Sequence, residues 1–203
     1  MISLEETLNR RSLLPVRGLT TYSSRSTRFY KWYYMLNNKP VKPRLDKMNI
    51  RQAVSTDSLL LSSLCVDVQN LHAEHHPDIF KTPQSDDFAV SFFEEMLAAP
   101  AITIYIAEEN AQALGHIFCK LIERPESPFT YANRFLHIDQ ISVRPNAQRR
   151  GVGTALMNQV EKLAGELGVS KIQLDSWDFN TQAHVFFERL GFEKFDYRFW
   201  RNL

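Results

Sequence analysis

The chain has 203 residues, of which 44% are hydrophobic, 23% charged and 12% aromatic, a composition typical of a soluble globular protein. Its 14 Phe, 7 Tyr and 3 Trp exclude a wholly disordered chain, and it contains no apolar run long enough to predict a membrane-spanning helix. Two cysteines are too few for a disulfide framework or a four-cysteine zinc site, so we expect reduced thiols, no metal and a cytoplasmic protein.

The net charge of +1 conceals two segments of opposite charge. Residues 1–47 hold ten basic and three acidic residues, a charge of +7, whereas residues 48–203 hold fourteen basic and twenty acidic residues, a charge of −6. We therefore predict a basic, poorly structured N-terminal extension over 1–47 and one domain over 48–203. Three interpretations of the extension stay open: a targeting peptide, an arm that binds a polyanion, and a stretch upstream of a translation start at Met48.

From Met48 onward, predicted strands and helices alternate. Alternating apolar residues predict strands over 49–54, 102–107, 114–122, 135–143, 171–176 and 192–200. Helical periodicity predicts helices that begin near Asp57, near Ser85 or Asp86, at Val152 and at Asn180, with Gly168 and Gly191 ending the last two. This order predicts an α/β (α+β layered) fold in which helices flank a mixed central sheet.

The segment 141–155 carries the clearest chemical signal. A buried strand ends at Val143, a short loop follows, and Gly151 and Gly153 open a long amphipathic helix. The first turn of a helix has free N–H groups and a partial positive charge, glycine lets a ligand approach the backbone, and Arg149 and Arg150 add positive charge. The segment therefore predicts a phosphate-binding loop, although its glycine spacing matches neither standard nucleotide-binding loop.

Two motifs carry a resemblance to a known family. The sequence Gln-Arg-Arg-Gly-Val-Gly at 148–153 resembles the Gln/Arg-x-x-Gly-x-Gly/Ala acyl-CoA loop of the GNAT superfamily of N-acetyltransferases. Further along the chain, Asn-x-x-Ala-x-x-x-Phe-x-x-x-Gly-Phe at 180–192 is similar to the C-terminal helix motif of that family. The order of predicted elements from Met48 to Leu203 also resembles a whole GNAT domain.

The resemblance implies that acetyl-CoA is the co-substrate. It implies that backbone N–H groups of the loop hold the pyrophosphate, that the strand end pairs with the pantetheine arm, and that the N–H of Ile141 polarises the thioester carbonyl. The implied cofactor-binding residues are Ile141, Ser142, Val143, Gln148, Arg149, Arg150, Gly151, Val152, Gly153, Thr154, Asn180 and Phe187. For Asn180 an ordinary helix N-cap is an equal alternative.

The same resemblance implies a general base on the strand before the loop. Asp139 corresponds to the acidic residue that many family members place there, with a salt-bridged carboxylate as the alternative; His137 is a second candidate base. Phe187 stands where the family often carries a tyrosine that protonates the CoA thiolate. Tyr197 or water could supply that proton, or the thiolate could leave unassisted.

The predicted function is transfer of acetyl from acetyl-CoA to a primary amine, by direct attack in a ternary complex. The alternative is a catalytically silent acyl-CoA-binding module, which the absence of a tyrosine at Phe187 favours.

The charge of −6 on residues 48–203 favours a cationic acceptor, either a small molecule or a protein amine, over nucleic acid or a membrane. A homodimer stays open as the assembly. The resemblance places His72, His75 and His76 in an acceptor-binding loop between the first two helices; an exposed helix end is the alternative, and a metal site is not expected.

Overall fold

The computed structural model describes residues 48–201, so the predicted N-terminal extension over 1–47 lies outside the described residues. In this described part of the chain, five strands form one sheet in the order β1 to β5: Met48–Gln52, Ile102–Glu109, Gln112–Arg124, Asn133–Val143 and Ile172–Leu174. The first four are antiparallel, and β5 pairs in parallel with β4. Within residues 48–201, four α-helices accompany the sheet: α1 Ser58–His75, α2 Val90–Ala98, α3 Val152–Glu166 and α4 Thr181–Arg189. The predicted mixed sheet with flanking helices is confirmed.

The helices cover both faces of the sheet because each strand buries alternate side chains on opposite sides. Along β3, the buried side chain of Phe118 packs with α1 and α2, whereas its neighbour Ile117 packs with α3. The α3 contribution is the apolar stripe Leu156, Met157 and Val160, which is fully buried. Two cores therefore fix the sheet between α1 and α2 on one side and α3 on the other.

Turn residues end the elements where the sequence predicts. Gly168 after α3 and Gly191 after α4 have φ of +64° and +87°, the left-handed conformation that glycine adopts readily at a helix C-terminus. The β2–β3 hairpin turns at Asn110 and Ala111, which also have positive φ, as a tight two-residue turn requires.

Two predicted helix boundaries and one predicted strand are wrong. Helix α1 runs to His75, so His72 and His75 lie on a helix rather than in a loop, and α2 begins at Val90, later than predicted. Residues 192–201, all within the described part, form no strand, because β5 is only three residues long and offers that segment little edge to pair with. Aromatic alternation alone does not make a strand when no partner edge is available. Among residues 48–201, no helix combines the length and hydrophobicity that crossing a membrane requires.

Candidate functional site

The site is organised by a bulge in β4. Phe118 of β3 pairs with Gln140, but the next residue, Cys119, pairs with Ile138, so that Asp139 is the extra residue between them. A bulge of this kind bends the strand and re-aims the side chains on either side of it. It therefore divides β4 into a half that pairs on both edges and a half that does not.

The C-terminal half of β4 has one free edge. Strand β5 ends at Leu174 opposite Ile138, so within the described residues 139–143 pair only with β3. Arg144 N donates to Leu114 O at 2.9 Å, and bonded pairs alternate along an antiparallel ladder. The backbone groups of Ile141 and Val143 consequently point away from β3, into the gap that opens beyond β5.

The loop after β4 presents unpaired backbone donors. The first bond of α3 runs from Ala155 N to Gly151 O at 2.9 Å, and no hydrogen bond within the described part of the chain uses the N–H groups of 149–154. Arg149 and Gly151 have φ of +59° and +87°. Left-handed backbone costs a non-glycine residue about 1–2 kcal/mol, so Arg149 is strained. Such alternation gathers N–H groups into a concave anion-binding surface at the positive end of a helix.

Side chains around the loop hold it in place. Gln148 Nε2 donates to Val143 O at 3.2 Å, which ties the loop back to the end of β4. A Cβ added to Gly153 would lie 3.1 Å from the Phe186 ring, so Gly153 also permits α3 and α4 to pack closely. Arg150 makes an ion pair with Glu109 at the end of β2.

The other predicted cofactor-binding residues of this region differ in their exposure to solvent. Arg149 and Thr154 are exposed, so both side chains are accessible to a ligand at the concave backbone surface. Val152 is buried in the core beneath α3, and only its backbone N–H is available to a ligand. Ser142 is buried and donates through Oγ to Leu64 O at 2.8 Å, which fixes α1 against β4.

Helix α4 supplies the other two predicted cofactor contacts. Asn180 Oδ1 accepts a hydrogen bond from Ala183 N at 3.3 Å, so the N-cap interpretation is confirmed. Phe187 is 8% exposed and its ring centroid lies 5.4 Å from that of Phe186, which makes it a core residue with no proton to donate. Tyr197 lies in the irregular segment 192–201 and is 72% exposed.

The carboxylate of Asp139 is ion-paired. Lys120 Nζ on β3 lies 2.8 Å from Asp139 Oδ1, and the Asp139 side chain is 34% exposed. The same ammonium lies 5.0 Å from the centroid of the Phe118 ring. The other candidate base, His137, has Nε2 3.9 Å from Asp175 Oδ2. Asp139 is thus held in position at the bulge and is partly exposed to solvent.

A groove of about 410 Å³ opens beside the bulge, between α1, α2, the loop that joins them and β4. Its lining residues are mainly apolar and aromatic: Cys65, Gln69, Ile79, Phe80, Lys81, Phe88, Ala89, Phe92, Phe93 and Gln140. Gln140 directly follows Asp139 in β4, so the groove meets the strand at the bulge.

A polar cluster forms the floor of this groove, and the sequence did not predict it. Gln140 Oε1 lies 2.9 Å from both Cys65 Sγ and His116 Nε2. Burial lowers the pKa of His116 to about 4 and raises the pKa of Cys65 to about 12. Both groups are therefore neutral at neutral pH, and Cys65 is not a thiolate nucleophile. These residues lie in three separate segments, so no local motif could reveal them.

The three histidines at the end of α1 pack against aromatic rings. His75 stacks on Phe179 with ring centroids 4.1 Å apart, and His76 lies 4.9 Å from Trp177. Burial, and then the neighbouring His75 and His76, lower the pKa of His72. No group of three potential metal ligands occurs among residues 48–201. The histidines thus join α1 to the segment that follows β5.

Comparisons with known proteins agree with this geometry. Residues 65–192 match the Acetyltransferase (GNAT) family. An uncharacterized N-acetyltransferase, YhfO of Bacillus subtilis, is 25% identical over 72% of this chain and 91% of its own length. The crystal structure of a tetramutant of the BH1408 protein from Bacillus halodurans superimposes with a TM-score of 0.72 at 21% identity, covering 76% of this chain and 99% of that one. A predicted acetyltransferase from Clostridium acetobutylicum, solved with acetyl-CoA, gives a TM-score of 0.57 at 22% identity and covers 76% and 96% of the two chains.

Proposed function

Because this chain belongs to the acetyltransferase (GNAT) family, we propose that it transfers the acetyl group of acetyl-CoA to a primary amine. One observation carries the proposal: the consecutive N–H groups of residues 149–154, which have no partner in the described structure, lie a short loop beyond the end of a strand with an open edge. A relative of the same fold was solved with acetyl-CoA, which supports the choice of donor.

The loop and the strand would hold different parts of acetyl-CoA. The N–H groups of Arg150 to Thr154 would bind the pyrophosphate, with the exposed Arg149 side chain beside it. The backbone of Ile141 and Val143 would pair with the pantetheine arm as an added strand would. Asn180 already caps α4, so its contact with the cofactor would be a second role, and Phe187 would contribute apolar packing.

The reaction needs a carbonyl activator and a proton acceptor. The amine nitrogen would attack the thioester carbonyl, and the Ile141 N–H would stabilise the negative oxygen of the tetrahedral intermediate. Asp139 would take the proton of the attacking amine, the C–N bond would form and the C–S bond would break. The CoA thiolate can leave without a donor because its pKa is low, or the exposed Tyr197 could protonate it.

The acceptor would be a cationic amine, either a small molecule or a protein side chain. Residues 48–203 carry a charge of −6, which attracts cations over distances of about a Debye length. An ammonium would displace or share the Lys120 contact at Asp139, release one proton to solvent and attack as the neutral amine, whose second proton Asp139 then takes.

A second candidate function is an acyl-CoA-binding module without turnover. Two observations favour it: Phe187 has no proton to donate, and the Asp139 carboxylate is already paired with Lys120. Such a module would use the same loop and strand edge to bind acetyl-CoA but would transfer nothing.

Release of free thiol from acetyl-CoA over a panel of primary amines separates the two functions. Saturable, amine-dependent thiol release, with a product heavier by one acetyl group, is the result the transferase predicts. Tight acetyl-CoA binding by calorimetry without thiol release for any amine would leave the binding module. The absence of acetyl-CoA binding would contradict both.

A further inference from the structure

The groove beside the bulge is built differently from a cation-binding pocket. Among the described residues that line it, Lys81 is the one with a full charge at neutral pH, and none is an aspartate or glutamate. Its walls are apolar, with Phe80, Phe88 and Phe92 among them. A second positive charge on the acceptor would therefore find no carboxylate in this groove.

The floor of the groove fixes one side-chain amide. The His116 ring is fully buried, and its Nδ1 has no hydrogen-bond partner in the described structure. A proton on Nδ1 would be a buried N–H without an acceptor, so the proton belongs on Nε2, which donates to Gln140 Oε1 at 2.9 Å. The Cys65 thiol donates to the same oxygen, also at 2.9 Å.

The orientation of the amide decides what Gln140 offers to a ligand. Both bonds engage Oε1, and within residues 48–201 the Nε2 group has no hydrogen-bond partner. Since Oε1 is turned towards the buried Cys65 and His116, Nε2 is turned away from them, towards the groove that Gln140 lines. The amide of Gln140 thus has two free N–H donors at a groove that Lys81 also lines.

We propose that this groove binds an acceptor with an apolar body and a carboxylate, which Gln140 Nε2 and Lys81 recognise while its amine lies beside Asp139. This rests on the proposed acetyl transfer and names its substrate class: a primary amine that also carries a carboxylate, rather than a polyamine. The bulge at Asp139 interrupts the alternation of faces in β4, and Lys120, the partner of Asp139, lies 5.0 Å from the ring centroid of Phe118, which packs with α1 and α2 on the groove side. One bound molecule can therefore reach both Asp139 and Gln140.

The test compares two amines of the same shape in direct binding. Calorimetry in the presence of CoA would measure 4-(aminomethyl)benzoate, which has a carboxylate, against benzylamine, which lacks it. Because hydrogen bonds to a charged group are strong, we expect the wild-type protein to bind 4-(aminomethyl)benzoate about tenfold or more tightly than benzylamine. Gln140→Glu puts a negative oxygen in place of the donor and is expected to abolish that preference.

Two further variants keep the result interpretable. Gln140→Met removes the donor without adding charge and should reduce the preference if Gln140→Glu does not fold. Asn70→Asp makes the same amide-to-acid change on an exposed part of α1 outside the groove lining, and should leave the preference intact.

Equal binding of the two amines by the wild-type protein, or an undiminished preference in both Gln140 variants, would overturn the proposal. Tighter binding of benzylamine by Gln140→Glu together with no carboxylate preference in the wild type would show that the groove takes a cation instead. The measurement is of binding alone, so it decides this proposal even if no acetyl transfer occurs, and thiol release separately decides the proposed function.

Discussion

Replacing Gly151 by alanine should separate cofactor binding from stability. Gly151 has φ of +87° at the start of α3, in the middle of the free N–H groups. A Cβ in left-handed backbone costs about 1–2 kcal/mol, which for a domain of this size lowers the Tm by about 2–8 °C. The strain is relieved only if the loop moves, and the aligned N–H groups then lose their geometry.

The expected loss of CoA affinity follows from those donors. A hydrogen bond to a charged phosphate is worth about 1.5–3 kcal/mol, so losing one raises the Kd by about 10-fold to about 150-fold. Calorimetry with CoA measures this directly. Pantetheine, which lacks the pyrophosphate, is the matched ligand, and its affinity should change little in Gly151→Ala.

Gly168, just beyond the C-terminus of the same helix, offers a control. It has φ of +64° at the opposite end of α3, and a Cβ there would meet nothing within 4 Å. Gly168→Ala should therefore lower the Tm by a similar amount and leave CoA affinity unchanged. Wild-type CoA affinity in Gly151→Ala, or an equal loss in Gly168→Ala, would refute the assignment of the loop to the pyrophosphate.

Three further predictions concern the base, the loop charge and the sheet. Asp139→Asn should lower kcat by about 100-fold or more with unchanged CoA affinity, and an unaltered pH–rate profile would reject Asp139 as the base. Glu109→Gln releases Arg150 and removes a negative charge near the loop, so CoA should bind about two- to fivefold more tightly than to the wild type at low salt. This gain in affinity should shrink at high salt, and a gain that does not depend on salt would contradict its electrostatic cause. Gly115→Ala should destabilise the protein by about 1–3 kcal/mol in urea, because its Cβ would lie 2.4 Å from Ser142 O; a change below about 0.5 kcal/mol would contradict this packing.

The parts of the fold that follow local rules were predictable from the sequence. The strand that ends at Val143, the glycines that open α3 and the glycine that ends it are each set by neighbouring residues, and the structure confirms them. Asn180 as an N-cap is also a local property. These elements bring the predicted loop to the end of β4.

What depends on tertiary pairing was not predictable. The bulge at Asp139 arises from the register between β3 and β4, which the β4 sequence alone does not specify. The cluster of Cys65, His116 and Gln140 joins a helix to two strands. The strand predicted over 192–200 fails for the complementary reason, since its aromatic alternation has no paired edge in the described structure.

The most direct test of the account is the change in backbone amide signals when CoA is added to the labelled full-length protein. If the loop and the open strand edge bind CoA, the largest NMR shifts occur at the N–H groups of residues 149–154 and at Ile141 and Val143, with smaller effects along the rest of α3. Saturating CoA binding that leaves these amides unmoved while others shift would contradict it.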